Sequence, residues 1–436
     1  MGRTSGALVL AFLAVTSTAK AGNSEDVVAG SDVALTGGAV VANVHTGGAL
    51  WYNPAGAAQL DARSVDLTGA VLSYTIAKAP GALSIQSGEQ SQGDFSATQA
   101  IPRALTFVAS PRPELRWGLG FFFSRSISRF LQDTVATASG STEPSEFFAS
   151  ADATDSLYHV SGVVAWKKSD KFLLGGGLDI VIATRRLTQI VSGAYADGQG
   201  GAVNQNFNQN ISGGGLQLKG GLQWAPIKEV RIGWMASTPS YLAYTNNETT
   251  ATQTSSPPGS PPEFQGSQID QLSGAWAGVE QALTRLGLAY LGGWGWIEGD
   301  LIVRFPLRTA ELGIDWKTTA NLRLGGVFRI TKRLRLGAGF FTDLSPERQP
   351  GAFSDSQIDF YGLTVGIDFA NREKPPEKGE DGFYLAFAAA FRYSHGSGTI
   401  AGLLFPSTFQ DPSAQLNPVG IKVNEMGVNL AVKAGF

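Results

Sequence analysis

The sequence has no cysteine among its 436 residues. That excludes a disulfide framework, a thiolate metal site and a lipid-bearing cysteine at the N-terminus. Charge is scarce as well. Asp, Glu, Lys and Arg make up 16% of the chain, against about 25% in ordinary soluble domains. The net charge of −3 leaves no basic surplus, and Lys and Arg are scattered, so nucleic acid is not an expected partner. Histidine occurs three times, at His45, His159 and His395. None sits in a His-Glu-x-x-His or nucleophile-elbow pattern. A Ser–His dyad would need His159 beside Ser161, or His395 beside Ser394 or Ser397. Polar lumen or loop roles explain these histidines more simply, and no catalysis, metal or cofactor is expected. Past the first twenty residues, no run of 18 apolar residues exists to make a membrane helix.

What the chain has instead is an address, an excess of glycine and a two-residue rhythm. Arg3 precedes the apolar run "ALVLAFLAV" (7–15), and Ala19-x-Ala21 closes it, so residues 1–21 read as an export signal. The chain holds 55 Gly, well above the average of about 7%. Alternation of apolar and polar residues then recurs over segments of ten residues or more, the mark of strands with one apolar face. In the last segment Met426, Val428, Leu430, Val432, Ala434 and Phe436 share a face, opposite Glu425, Asn429 and Lys433.

The charged residues keep to one parity throughout. Lys219, Glu298, Asp300, Arg304, Arg323, Arg329 and Arg335 all oppose an apolar face of their own segment. A soluble sandwich also alternates, but its strands run about 5–6 residues, whereas a tilted membrane strand needs about 9–11. These segments belong to the longer class. A Lys or Arg facing lipid at the midplane costs roughly 2–4 kcal/mol, which explains why the charges are confined to the lumen side. The pair Glu298 and Asp300 could mimic two catalytic carboxylates; lumen charges balanced by Arg304 and Arg323 are the commoner arrangement. Trp117, Trp166, Trp224, Trp294 and Trp316 suit interfacial girdles.

The pattern therefore predicts an all-β fold, a transmembrane antiparallel barrel of about fourteen strands. The strands run from 64–78, 100–110 and 115–130 through to 382–396 and 418–436. Short joints fall at 110–114, 167–170, 225–229, 292–295, 331–332 and 371–381. The alternate joints are long, giving external loops near 131–154, 193–208, 245–282, 344–355 and 397–417. The Pro- and Ser-rich stretch 246–267 would also serve as an interdomain linker. The short–long rhythm across it favours a loop, with residues 268–282 able to form a short helix bearing Leu272, Trp276 and Val279.

Two stretches carry a family resemblance. "GSDVALTGGAVVANVHTGGALWYNPAGAAQL" (30–60) resembles the opening of the FadL-like outer-membrane transporters of long-chain fatty acids and aromatic hydrocarbons, with its Asn53-Pro54-Ala55-Gly56 motif. "WKTTANLRLGGVFRITKRLRLGAGFFTDLSPE" (316–347) looks like a strand pair of that family, and a terminal Phe436 resembles an outer-membrane assembly signal. The resemblance implies residues 22–62 as a hatch inside a barrel of residues 63–436. It further implies hydrophobic small molecules as cargo, a lateral exit through a strand defect, and an outer-membrane location in a Gram-negative bacterium. Lipids with lipopolysaccharide and the barrel assembly machinery would be the partners of a monomer. A non-transporting scaffold for surface or secretion machinery, or a general porin, is the alternative. The chain departs from the family at "NVHTGGA", where relatives often carry an acidic pair, which puts charged contacts between hatch and wall in doubt. No ligand-binding residue can be assigned from sequence.

Overall fold

The computed structural model describes residues 27–60, 63–137, 145–195, 201–256, 263–274, 277–309, 314–348, 356–372, 383–405 and 415–435. The expected export signal, residues 22–26 and 61–62 of the expected hatch, Trp276 and Phe436 lie outside the described residues. Strands follow one another in chain order around the wall, starting with β1 (Arg63–Lys78), a short inserted β2 (Leu83–Ile85) and β3 (Asp94–Arg112). Next come β4 (Leu115–Ala136), β5 (Ser145–Ser169), β6 (Phe172–Tyr195) and β7 (Gly201–Ile227). One wall position is shared by β8 (Val230–Ser237) and β9 (Ser240–Ser256), and the next by β10 (Glu263–Gly274), β11 (Ala277–Glu280) and β12 (Leu283–Gly292).

After β13 (Gly295–Arg304) a small hairpin of β14 (Leu307–Thr309) and β15 (Ile314–Trp316) is inserted. The wall then continues through β16 (Thr319–Arg329), β17 (Leu334–Asp343), β18 (Ser356–Ala370), β19 (Tyr384–Phe405) and β20 (Gln415–Gly435). Pairing of β1 with β20, from Ser64↔Gly435 to Lys78↔Lys422, closes a fourteen-strand antiparallel barrel.

Burial confirms which face is wet. Leu218 is 58% exposed, Leu288 59% and Leu363 57%, while Lys219 is 6% exposed and Asp300 1%. Apolar side chains coat the outside and charged ones point in, the arrangement that lipid demands. Trp117, Trp166, Trp224 and Trp294 are exposed close to the short joints, forming a girdle at what is called here the near end. Trp316 does not belong to it: it is 4% exposed in β15, inside the opposite, far end.

The far end differs from the sequence expectation in its strand lengths. Four stretches expected as loops are largely ladder. Within 131–154, β4 continues to Ala136 and β5 starts at Ser145; within 193–208, β6 reaches Tyr195 and β7 starts at Gly201. Within 397–417, β19 runs to Phe405 and β20 starts at Gln415. The stretch 245–282 is neither linker nor helix but the hairpin β9–β10, with Ile269 opposite Thr250 and Leu272 opposite Asn247, followed by β11. The cause is physical. Outside a bilayer a sheet needs little beyond its backbone ladder, so "NQNFNQN" and "TNNETTATQT" form strands whose apolar residues are Phe207 and Ala251, buried with Ala153 and Leu187. The stretch 344–355 has no strand among its described residues, apart from an isolated Glu347↔Trp316 bridge. The second wall strand also starts at Asp94 rather than near residue 100.

Candidate functional site

Residues 27–60 fill the near half of the lumen. They form helix α1 (Ser31–Thr36), ended by Gly37 in the left-handed region, then α2 (Ala49–Tyr52) and a 3₁₀ segment over Pro54–Gln59. The Asn53-Pro54-Ala55-Gly56 motif is the fully buried corner between the last two. Pro54, whose ring fixes φ and which has no N–H to lose, occupies the first position of the 3₁₀ turn. The Asn53 side chain accepts from Ala55 N at 3.1 Å and donates to Val41 O at 2.8 Å and Leu222 O at 3.1 Å. One amide thus joins the turn, the preceding segment and the wall.

Wall carboxylates hold the rest of the segment by its backbone. Asp300 Oδ2 accepts Val40 N at 2.8 Å and Val41 N at 3.1 Å, and Glu298 Oε1 accepts Ala42 N at 2.6 Å. Asp66 Oδ2 accepts Gly47 N at 3.0 Å. Cations take the carbonyls: Arg323 donates to Gly38 O at 3.3 Å, Arg285 to Trp51 O at 3.0 Å and Lys433 to His45 O at 2.9 Å. Arg335 lies 3.7 Å from Asp32 and pairs with Asp368. Charged contacts between segment and wall therefore exist despite "NVHTGGA", because the wall supplies most of the charges and the segment the peptide groups.

Of the lumen charges picked out by parity, Glu298, Asp300, Arg323 and Arg335 converge on residues 32–42. Lys219 and Arg304 stand higher, lining a cavity with Trp51, Asp179, Glu280 and Arg285. Arg329 is exposed at the near rim. Parity placed Lys433 opposite an apolar face without assigning it a role, and it passed over Asp66 and Arg285, although each alternates with lipid-facing apolar residues in its own strand. It also missed the inward glycines. A Cβ on Gly221 would sit 2.1 Å from Asn53 Oδ1, on Gly175 2.3 Å from Pro54 C, on Gly233 2.3 Å from Val41 O, and on Gly339 2.1 Å from Thr36 C. These bare positions form a track along which the segment's backbone touches the wall.

Above this segment lies a charged belt. Trp51 meets Phe122 at 5.2 Å between ring centroids and His159 edge-on at 4.9 Å, with the Lys219 ammonium 5.5 Å from its ring centre. His159 is 3.4 Å from Asp179 and 3.1 Å from Glu280. Lys219 donates to Ser161 Oγ at 2.6 Å, and Ser161 donates to Asp179. Ser161 is thus engaged by Lys219 and Asp179, and the His159–Ser161 dyad does not form. His395, at the far end, bonds to Asn424 at 2.9 Å.

Among the described residues, the wall ladder is interrupted over one long stretch. Strands β3 and β4 pair from Arg112↔Leu115 only as far as Ala104↔Phe122, while β3 stays paired to β1 up to Asp94 and β4 to β5 up to Ala136. Two local causes meet there. Pro102 has no N–H to give to a ladder, and β4 bulges at Ser124, between Phe123 and Arg125. Arg103 and Arg125 flank the lower edge of the parting, and Gly93 N donates to Asp133 at 3.0 Å across its top. Outside, Phe121, Phe123 and Tyr158 pack together with centroids 4.9–6.1 Å apart. Inside, Phe95 of β3 and Val135 of β4 belong to an apolar cluster at the far end that includes Phe147, Phe360, Phe405 and Ile421.

No family model matches this chain, and no curated protein matches it in sequence. Solved structures do. A FadL homologue of Pseudomonas aeruginosa superposes with a TM-score of 0.61 at 12% identity, over 94% of this chain and 99% of that one. The CymD monoaromatic hydrocarbon channel gives 0.54 at 12% identity, over 94% and 97%. The Ralstonia pickettii toluene transporter TbuX gives 0.54 at 13% identity, over 93% and 98%. At such identities the likeness is one of fold: this chain has the FadL-type barrel.

Proposed function

We propose, from that fold, that the protein is an outer-membrane channel for passive uptake of hydrophobic compounds, long-chain fatty acids or aromatic hydrocarbons, into a Gram-negative cell. The observation that carries the reading is the parting of β3 and β4 above Ala104↔Phe122, with apolar groups on both sides of the wall. Residues 22–62 act as a hatch that blocks water, and residues 63–436 as the barrel. Cargo arrives at the far end, which faces outside and carries the longer connections, and leaves sideways into the lipid before it meets the hatch. The near end, with both barrel termini, faces the periplasm. Outer-membrane lipids and lipopolysaccharide surround a monomer whose Phe436 is read by the barrel assembly machinery, and no catalytic step is involved.

A scaffold has no use for an opening in its wall, and a general porin has no use for a filled lumen. The test is uptake into proteoliposomes. Vesicles bearing the protein should accumulate toluene or a long-chain fatty acid faster than empty vesicles. Deleting residues 22–60 should raise conductance in planar bilayers while the barrel still assembles. Equal uptake by protein-bearing and empty vesicles would end the transport reading.

A further inference from the structure

At the far end the strands outrun one another, and a strand that outruns its neighbour presents unpaired N–H and C=O groups along one edge. Most of these edges are met. β19 continues past Ile400↔Ser356, the end of its pairing with β18, and its last residues are covered by β2, which runs parallel to it with Leu83 opposite Leu403 and Ile85 opposite Phe405. Leu403 N donates to Ala82 O at 2.8 Å and Gln86 N to Phe405 O at 2.9 Å, and Leu83 and Ile85 are buried in one cluster with Phe147, Phe360 and Phe405. β18 continues past Phe360↔Asp343, and there Asp359 accepts Ser345 N at 2.9 Å. β3 and β4 face each other across the parting, bridged by Gly93 and Asp133. β10 is different. It pairs with β9 from Glu263↔Ser255 to Gly274↔Thr245, and no described strand pairs with its other side over these 12 residues.

The sequence of β10, "EFQGSQIDQLSG", also lacks what commonly keeps an edge from taking on another strand, for it has neither Lys nor Pro. Its bulge, at Phe264/Gly266, leaves Gly266 to Gly274 in regular register. On that stretch Ile269 is 64% exposed, more than any other large apolar side chain among the described residues. Its partner Thr250 lies beyond Tyr241 and Tyr244, the exposed tyrosines of β9, so the lipid that covers the apolar residues of the wall does not account for it. Charge at this corner has one sign. Residues 201–217, the far part of β7, and 240–274, which include β9 and β10, contain no Lys or Arg and carry Glu248, Glu263 and Asp270.

We propose that the open edge of β10 docks an extended segment of another polypeptide, rich in Lys or Arg, which adds to the sheet as a further strand. The ladder comes from backbone groups, which any extended chain offers, and the selection comes from charge. A second copy of this chain does not fit the edge. Two copies in one membrane stand the same way up, so strands tilted by about 35–45° would cross at roughly 70–90°, whereas ladder neighbours differ by roughly 20–25°. Lipopolysaccharide does not fit either, since its phosphates carry the same sign as Glu248, Glu263 and Asp270. The inference uses the outer-membrane placement and is independent of uptake.

The test uses the full chain in uncharged detergent and three fluorescein-labelled peptides of equal length. One alternates Lys and Thr, one alternates Glu and Thr, and one alternates Lys and Pro, which keeps the charge but removes every second amide from a ladder. Fluorescence polarisation should show the Lys–Thr peptide binding at least tenfold more tightly than either of the others. Hydrogen–deuterium exchange should slow within residues 263–274 when it binds. Ile269→Lys/Asp270→Lys should weaken that binding at least tenfold while exchange in the rest of the barrel stays as in the parent. Glu248→Gln/Glu263→Gln/Asp270→Gln, which keeps the ladder, should remove the preference for Lys–Thr over Glu–Thr. Equal binding of the Lys–Pro peptide would reduce the site to ionic adhesion and overturn the inference. So would the absence of Lys–Thr binding, unchanged exchange within 263–274, or protection of that stretch by purified lipopolysaccharide or by self-association of the peptide-free protein.

Discussion

The two halves of the lumen are closed by different forces. In the near half, peptide groups of residues 27–60 meet wall carboxylates, cations and bare glycines, each at a fixed position and angle. In the far half, β2 is held mainly by apolar contact, which has no preferred direction. A directional contact set defines one placement and is lost all at once if the placement shifts. A non-directional one can be exchanged for any apolar body of similar size. The near half is therefore held in one placement, and the far half is packed without a preferred direction.

Substitutions can break this contrast in graded steps. The largest effect is expected from Phe147→Ala, which empties a fully buried ring position and should lower stability by about 3–5 kcal/mol. Urea unfolding would measure it, and protease resistance of residues 27–60 should not change. Asp300→Ala should do the reverse. It leaves two buried amides without their acceptor, a loss of about 1–3 kcal/mol, so the segment should become protease-sensitive and bilayer conductance should rise. Gly221→Ala forces a Cβ against Asn53 and should cost about 1–3 kcal/mol. Gly176→Ala, one strand away with no atom nearer than 3.8 Å, is its matched control and should show no such loss. Arg329→Gln, at the exposed rim, should stay within about 0.5 kcal/mol of the parent by the same unfolding assay. If Arg329→Gln loosened residues 27–60 as Asp300→Ala does, general lumen charge rather than specific bonding would be holding the near half.

How legible these features were in the sequence follows from what each part must satisfy. Inside the bilayer both lipid and lumen constrain composition, so alternation revealed the strands, their parity and the inward charges from Lys219 to Arg335. Beyond the bilayer only the backbone constrains the ladder, and β9, β10 and the extended ends of β5 and β7 read as loops. The Asn53-Pro54 turn was visible because proline and a capping side chain leave a local mark. The wall glycines were not, since a glycine in a strand looks alike whether it faces lipid or a buried backbone. Pro102 was the one available sign of the parting, as an edge residue in an otherwise central strand. Nothing in residues 79–93 announced β2, whose partner lies more than three hundred positions later, as the Ser84–Leu403 contact shows.

The bonds that fix residues 27–60 join positions very far apart in the chain: 256 residues separate Ala42 from Glu298 and 388 separate His45 from Lys433. Contacts of that kind form late, because the ends of a long loop must meet before anything rewards them. The segment has no complete set of partners until β13, β16 and β20 are in place. A barrel that has closed β1 on β20 while its amino-terminal stretch is still unplaced is then an expected stage of biogenesis. On the channel reading proposed above, the capture of three consecutive amides by Asp300 and Glu298 is the step that would end the leak of each new molecule.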